Sequence, residues 1–289
     1  MSVDILTHII GMLPVGDLKA LGQSSRALRS YTRNTASKRW LSHISRWFVN
    51  TGAFQSVLQR TDAVVSGSCV LAFTLSNTEF VTPADLDLYV GIDMAPHLIA
   101  YLVTQEGYHP AFSTIGSSYY HHGPYEGGIS RVVHLHRASG VSIDVVVSSR
   151  ICSTFPLVHF WNTLVLNYVS FRGLCVAYPE LTFQGKGCIN PARLTARNTP
   201  NLITKYNARG FNIGLFEGTA TKCGPDYAHK WSCPNTFRSF NDRSCFSMPF
   251  GNRHDSVRDN DPHIVFWRFG STECGGSCGR TSTRLAGTL

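Results

Sequence analysis

Three short phrases, in this order, constrain the fold most: Val64-Val65-Ser66-Gly67-Ser68, Asp85-Leu86-Asp87-Leu88-Tyr89-Val90 and Ile143-Asp144-Val145-Val146-Val147. The first reads as a buried strand broken by a Gly-Ser turn. The second alternates carboxylates with apolar side chains. Alternate residues of a strand share a face, so Asp85 and Asp87 point one way while Leu86 and Leu88 enter a core. The third places one more carboxylate, Asp144, at a strand position. Three acids on adjacent strands repel one another unless a cation neutralises them. Hard divalent cations take oxygen ligands and bridge to substrate phosphates. The pattern predicts a metal-dependent phosphate site on a sheet.

These phrases resemble the polymerase-beta-type nucleotidyltransferase superfamily, whose signature is an apolar strand, Gly-Ser, a spacer, Asp-x-Asp and a third acid on a later strand. The resemblance covers residues 46–150. It implies that Gly67 and Ser68 contact the nucleotide phosphates, that Asp85 and Asp87 bind two magnesium ions, and that Asp144 completes the second site and helps activate the attacking hydroxyl. Sixteen residues separate Ser68 from Asp85, more than the family usually has, and the insert Thr74–Pro83 reads as a loop. The alternatives are an ordinary α/β sheet with acids at its strand ends, and a nucleotidyltransferase fold that has lost activity.

Residues 1–45 read as helical. Ile5, Ile9, Ile10 and Leu13 recur at helical spacing, Pro14 interrupts, and Asp17 can cap a second helix carrying Leu18, Leu21 and Leu28 on its apolar side. Ser24, Arg26 and Arg29 would face outward. The series from Ile5-Leu6 through Leu13-Pro14, Asp17-Leu18 and Ser25–Arg29 to Trp40 resembles an F-box, without the usual leading Leu-Pro. That resemblance implies docking, through residues such as Ile9, Leu13 and Leu18, onto a Skp-type adaptor of a cullin ubiquitin ligase, and a eukaryotic source. The joint layout resembles proteins of fungi. A helical hairpin packed on the following domain explains the same residues.

Further along, residues 46–60 suit a helix, a second helix should follow Ser68 with its free N–H groups toward an anion, and Pro96–Glu106 suits a third. Ser113–Gly128 reads as a loop. Arg131–His136 and Val141–Val147 should form a hairpin across Arg137-Ala138-Ser139-Gly140. His134 and His136 would share one face of it, as surface residues more readily than as metal ligands. Phe155–Phe171 is apolar on nearly every side and reads as a buried helix, with Asn162 and Asn167 as its polar interruptions. Residues 192–209 carry Arg193, Arg197, Lys205 and Arg209 around Tyr206. Lys205 and Arg209 are candidates to hold a triphosphate, although a solvated helix face reads the same way.

From residue 213 the chain turns rich in Cys, Gly, Ser, Arg and Asn. Cys223, His229, Cys233 and Cys245 could ligate zinc, though without the tight Cys-x2-Cys pair of a strong zinc motif. Cys274 and Cys278 follow in a Gly-rich end. The expected class is α+β: a mixed sheet flanked by helices, with an N-terminal helical segment and an irregular Cys-rich tail. The expected division is 1–45, 46–151, 152–212 and 213–289.

A net charge of +8 suits an anionic partner: a nucleoside triphosphate, a nucleic acid or an acidic protein. No apolar run reaches the ~18 residues of a membrane helix, so no membrane partner is expected. The N-terminus has no secretory pattern. Nine cysteines without a repeating framework suit reduced thiols in the cytoplasm or nucleus. The residues lead to two readings: a magnesium-dependent transferase of a nucleoside monophosphate to an unidentified acceptor, and an adaptor carrying an inactive fold of that kind.

Overall fold

The computed structural model describes residues 3–75, 83–114, 127–216, 236–251 and 265–269. It is a mixed α+β structure around an eight-stranded sheet. The expected loops at Thr74–Pro83 and Ser113–Gly128 lie largely outside the described residues, as do Cys223, His229, Cys233, Cys274 and Cys278.

Three helices open the chain: α1 (Val3–Met12), α2 (Val15–Gln23) and α3 (Arg26–Ile44). Pro14, not Asp17, occupies the N-cap of α2. Proline supplies the extended entry, and Asp17 instead sits in the first turn, where its charge complements the helix dipole. Leu28 belongs to α3, whose N-cap Ser25 accepts from the Leu28 amide at 3.1 Å. The helix expected over 46–60 begins at Thr51 as α4 (Thr51–Thr61), because Asn50 caps it by accepting from Ala53 N at 2.9 Å.

The chain then enters β1 (Val64–Ser66), α5 (Gly67–Thr74), β2 (Asp85–Val90), α6 (Ala95–Thr104), β3 (His109–Thr114), β4 (Ile129–His136) and β5 (Ser142–Ser148). The β4–β5 hairpin forms as its turn residues predict, with Arg137 N donating to Val141 O at 3.0 Å.

The helix expected over Phe155–Phe171 is absent. Phe155–His159 and Thr163–Val165 are short 3-10 turns, and Asn167–Ser170 is strand β6, which pairs with β7 (Gly173–Val176). Asn162 Oδ1 accepts from Leu164 N at 2.7 Å and starts a new turn there. An apolar run buried on both sides serves a central strand as well as a helix. The β6–β7 turn ends at Gly173, with φ +147, where a Cβ would lie 2.3 Å from Met248 O. No other residue fits there.

After α7 (Pro179–Thr182) come β8 (Lys186–Cys188), α8 (Thr199–Ala208), β9 (Asn212–Gly214), β10 (Arg238–Ser239), β11 (Phe246–Pro249) and β12 (Phe266–Trp267). The large sheet runs β11-β7-β6-β1-β2-β5-β4-β3. Its neighbours are antiparallel except β2 and β5, which are parallel. It therefore draws strands from both sides of residues 151 and 212.

Alternation divides the sheet. Leu86, Leu88, Val90, Ile143, Val145 and Val147 join the helices α2 to α6 in the larger core, with Trp40, Trp47, Phe54 and Tyr108 fully buried. Tyr89, Val132 and Val146 lie on the other face, against Leu157, Leu166, Tyr178 and Trp267. The three acids occupy one end of this second face.

Candidate phosphate and metal site

Register builds the site. Asp87 is the Cα partner of Asp144 on the parallel neighbour β5, and Asp85 is the partner of Ser142. Asp85, Asp87 and Asp144 thus share a face, as the alternation of each strand predicts. On the other side of β2, Ser66 is the partner of Asp87, so the chain turns through Gly67 beside that carboxylate. Gly67 has φ +73, and a Cβ there would lie 2.2 Å from Asp87 Oδ2. The turn requires glycine both for its backbone and for its closeness to the acid. Gly67 and Ser68 are the first two residues of α5, at the end of the helix where backbone N–H groups lack intrahelical partners.

The electrostatics are those of crowded anions. Burial pushes the Asp87 carboxyl well above the ordinary range, Asp85 and Asp144 push it further, and Lys205 opposes them. Burial also raises Asp144; its contact with His134 opposes this, and Asp85 adds to it. His134 Nδ1 lies 2.7 Å from Asp144 Oδ1. Burial, and then Asp87, raise the nearby Cys69 thiol above its usual range.

Lys205 is exposed on α8, next to the buried Tyr206. Tyr206 packs with Leu71 of α5, Leu164, Val165 and Phe211 in a separate apolar cluster. That packing holds α8 against α5 and brings Lys205 within electrostatic reach of Asp87. The Arg209 guanidinium stacks 5.4 Å from the Tyr206 ring centroid. Its Nη1 is buried with no hydrogen-bond partner among the described residues. Arg193 donates to the His159 carbonyl at 3.1 Å.

Among the described residues, no group of three or more His, Cys, Asp and Glu side chains converges as a metal cage. Magnesium does not require one: it keeps several waters and takes one or two carboxylates plus substrate phosphates. The donor set of Asp85, Asp87 and Asp144, all oxygen and mutually repelling, fits such an ion. Of the candidate zinc ligands only Cys245 is described. Its Sγ lies 3.3 Å from Ser239 O, and Arg238 Nη2 donates to it at 3.5 Å. The Cys245 thiol is raised far above its ordinary value, first by its hydrogen bond with Cys175 and then by burial.

The structure pairs His134 with Asp144 across the hairpin, with His136 opposite Ser142, one residue from the register that strands ending at His136 and starting at Val141 imply. Asn167, expected as an interruption of a helix, instead backs the Gly-Ser turn: its carbonyl accepts from Ser66 Oγ at 2.5 Å. Among the described residues no helix is long and apolar enough to cross a membrane. No family model, curated protein or solved structure matches this chain.

Proposed function

We propose that the chain is a metal-dependent nucleotidyltransferase, moving a nucleoside monophosphate from a triphosphate to an acceptor hydroxyl. The observation that carries the reading is the alignment of Asp87 with Asp144 across parallel strands, with Gly67 pressed against Asp87. Asp85 and Asp87 would hold two magnesium ions, with Asp144 completing the second site. Bound magnesium would neutralise the triphosphate and make the acceptor hydroxyl easier to deprotonate. Gly67 and Ser68 would present backbone N–H groups to the phosphates. Lys205 would add positive charge where negative charge develops on the leaving group, and Arg209 would add more beside it. In-line displacement needs positioning and charge compensation more than covalent participation.

A titration of Mn2+ followed by electron paramagnetic resonance tests the reading. With each nucleoside triphosphate present, the wild type should immobilise two ions and Asp85→Asn/Asp87→Asn none. Equal binding by both proteins would sink the assignment.

One observation favours the adaptor reading as well. Ile5, Ile9 and Met12 of α1 are exposed apolar side chains on the N-terminal helices. They suit a protein partner such as a Skp-type adaptor, and the two readings are compatible.

A further inference from the structure

The net charge of this chain has one source. Between Asp17 and Asp62 there is no Asp or Glu, and there are eight cations: Lys19, Arg26, Arg29, Arg33, Lys38, Arg39, Arg46 and Arg60. The remaining eighteen cations equal the eighteen acids, so the +8 resides entirely in this stretch. The fold gathers part of it. Arg26, Arg29 and Arg33 are spaced by three and four residues, which puts them on one side of α3. Lys19, Arg29 and Arg33, with Thr32 and Ser247, line a cleft of about 380 Å³ between α2, α3 and edge strand β11. The Lys19 ammonium sits 4.5 Å over the Phe246 ring, and Arg29 Nε donates to Gly22 O at 3.3 Å. Among the described residues no carboxylate lines this cleft.

The other end of α3 reaches α5, whose first residue Gly67 adjoins Asp87. His43 Nε2 is 3.1 Å from the carbonyl of Cys69, in the first turn of α5. Arg46 follows, exposed and 3.9 Å over the Trp47 ring. Fourteen residues of helix separate Arg29 from His43, roughly 20 Å at ~1.5 Å per residue. That distance spans on the order of six nucleotides at the ~3.4 Å spacing of a stacked strand.

We infer that the α2–α3 surface binds the phosphodiester backbone of a single-stranded nucleic acid and leads it toward Asp85, Asp87 and Asp144. A repeating polyanion is favoured over an acidic protein because three of these cations, Arg26, Arg29 and Arg33, follow one another on one side of α3 and the stretch holds no acid. Guanidinium groups match phosphate in planar, forked geometry. No base-reading module accompanies them, so binding should be independent of sequence. The binding itself does not depend on the chemistry at the acids. That the bound strand is the acceptor rests on the transferase reading above.

The test is fluorescence anisotropy of the full chain with a labelled twelve-nucleotide oligouridylate. It is run in EDTA without nucleotide, so that its outcome is separate from metal binding at the acids. The expected result is binding with a log–log salt slope of about −2 to −3, from three or four phosphates at ~0.7 each. Arg26→Gln/Arg33→Gln should make the slope shallower by about 1.4. Lys19→Gln/Arg29→Gln/Arg33→Gln should weaken binding at least tenfold. Circular dichroism checks the fold of each variant, and the double variant, at exposed and half-buried positions, carries the test if the triple variant unfolds. A mixed-sequence oligonucleotide should bind as tightly. No binding by wild type, or unchanged binding and slope in the folded variants, would overturn the inference. Competition by an equal length of polyglutamate at equal concentration would overturn it in favour of an acidic protein.

Discussion

Asp87 and Asp144 stand side by side on adjacent parallel strands, in register at their Cα atoms. Their proximity, with Asp85, works against the fold when no cation is present. Burial and the two neighbouring acids raise Asp87 above its unfolded value. A carboxyl whose folded pKa is raised binds more protons folded than unfolded, so stability falls as pH rises from the ordinary carboxylate range through the raised value. Metal-free Asp87→Asn should therefore melt higher than the wild type at neutral pH, and the gap should close in mild acid. Differential scanning fluorimetry in EDTA across pH measures both.

Gly67→Ala should damage the same place from the backbone side. The residue has φ +73, and its new methyl would collide with Asp87 Oδ2. Left-handed strain alone costs about 1–3 kcal/mol, and relieving the collision displaces the acid. The expected outcome is a lower urea midpoint together with loss of any magnesium-dependent response.

Arg238 anchors the segment that carries β11. Its side chain is only 2% exposed. It donates to Asp242 and to the Ala177 carbonyl, and it lies 4.6 Å over the Tyr178 ring. Burial alone would raise Asp242, but the Arg238 hydrogen bond and charge outweigh it and lower the carboxyl. Breaking such a pair by removing one partner costs about 3–5 kcal/mol when it is fully buried, and less here because Asp242 is 23% exposed. Asp242→Asn should lose stability at neutral pH. Because the folded value is depressed, the loss should shrink as pH falls through it. Urea unfolding at neutral and acid pH decides.

Leu18 and Ile9 separate packing from partner binding. Leu18 is fully buried in the larger core, whereas Ile9 is 45% exposed. Leu18→Ala should cost about 2–5 kcal/mol and would confound any pull-down. Ile5→Asp/Ile9→Asp should leave the melting temperature nearly unchanged and abolish capture by a purified Skp-type adaptor. Persistent capture would count against the adaptor reading of α1.

The parts of this fold that were legible in the sequence are those where one face of a strand is buried. Asp85–Val90 and Ile143–Val147 alternate, so their faces and the orientation of the acids followed directly. Arg137–Gly140 gives the hairpin through turn chemistry, but the one-residue register that sets His134 opposite Asp144 depends on the turn's own hydrogen bonds. Phe155–Phe171 misled because period carries no information when both sides are buried. Pro156 and Asn162 are the local signals there, shaping and starting the short turns. Strand β11 is four residues long and joins β7 across some seventy residues of chain. No local pattern announces such a pairing. The electrostatic reach of Lys205 to Asp87 likewise depends on a cluster assembled from three distant segments.

The most direct test is a thermal shift with each nucleoside triphosphate, with and without magnesium, on wild type and Asp85→Asn/Asp87→Asn. A ligand at 100 times its dissociation constant adds about 2.7 kcal/mol to stability. The account predicts magnesium-dependent stabilisation of the wild type by at least one triphosphate and none in the variant. No shift with any triphosphate, or an equal shift in both proteins, would contradict it.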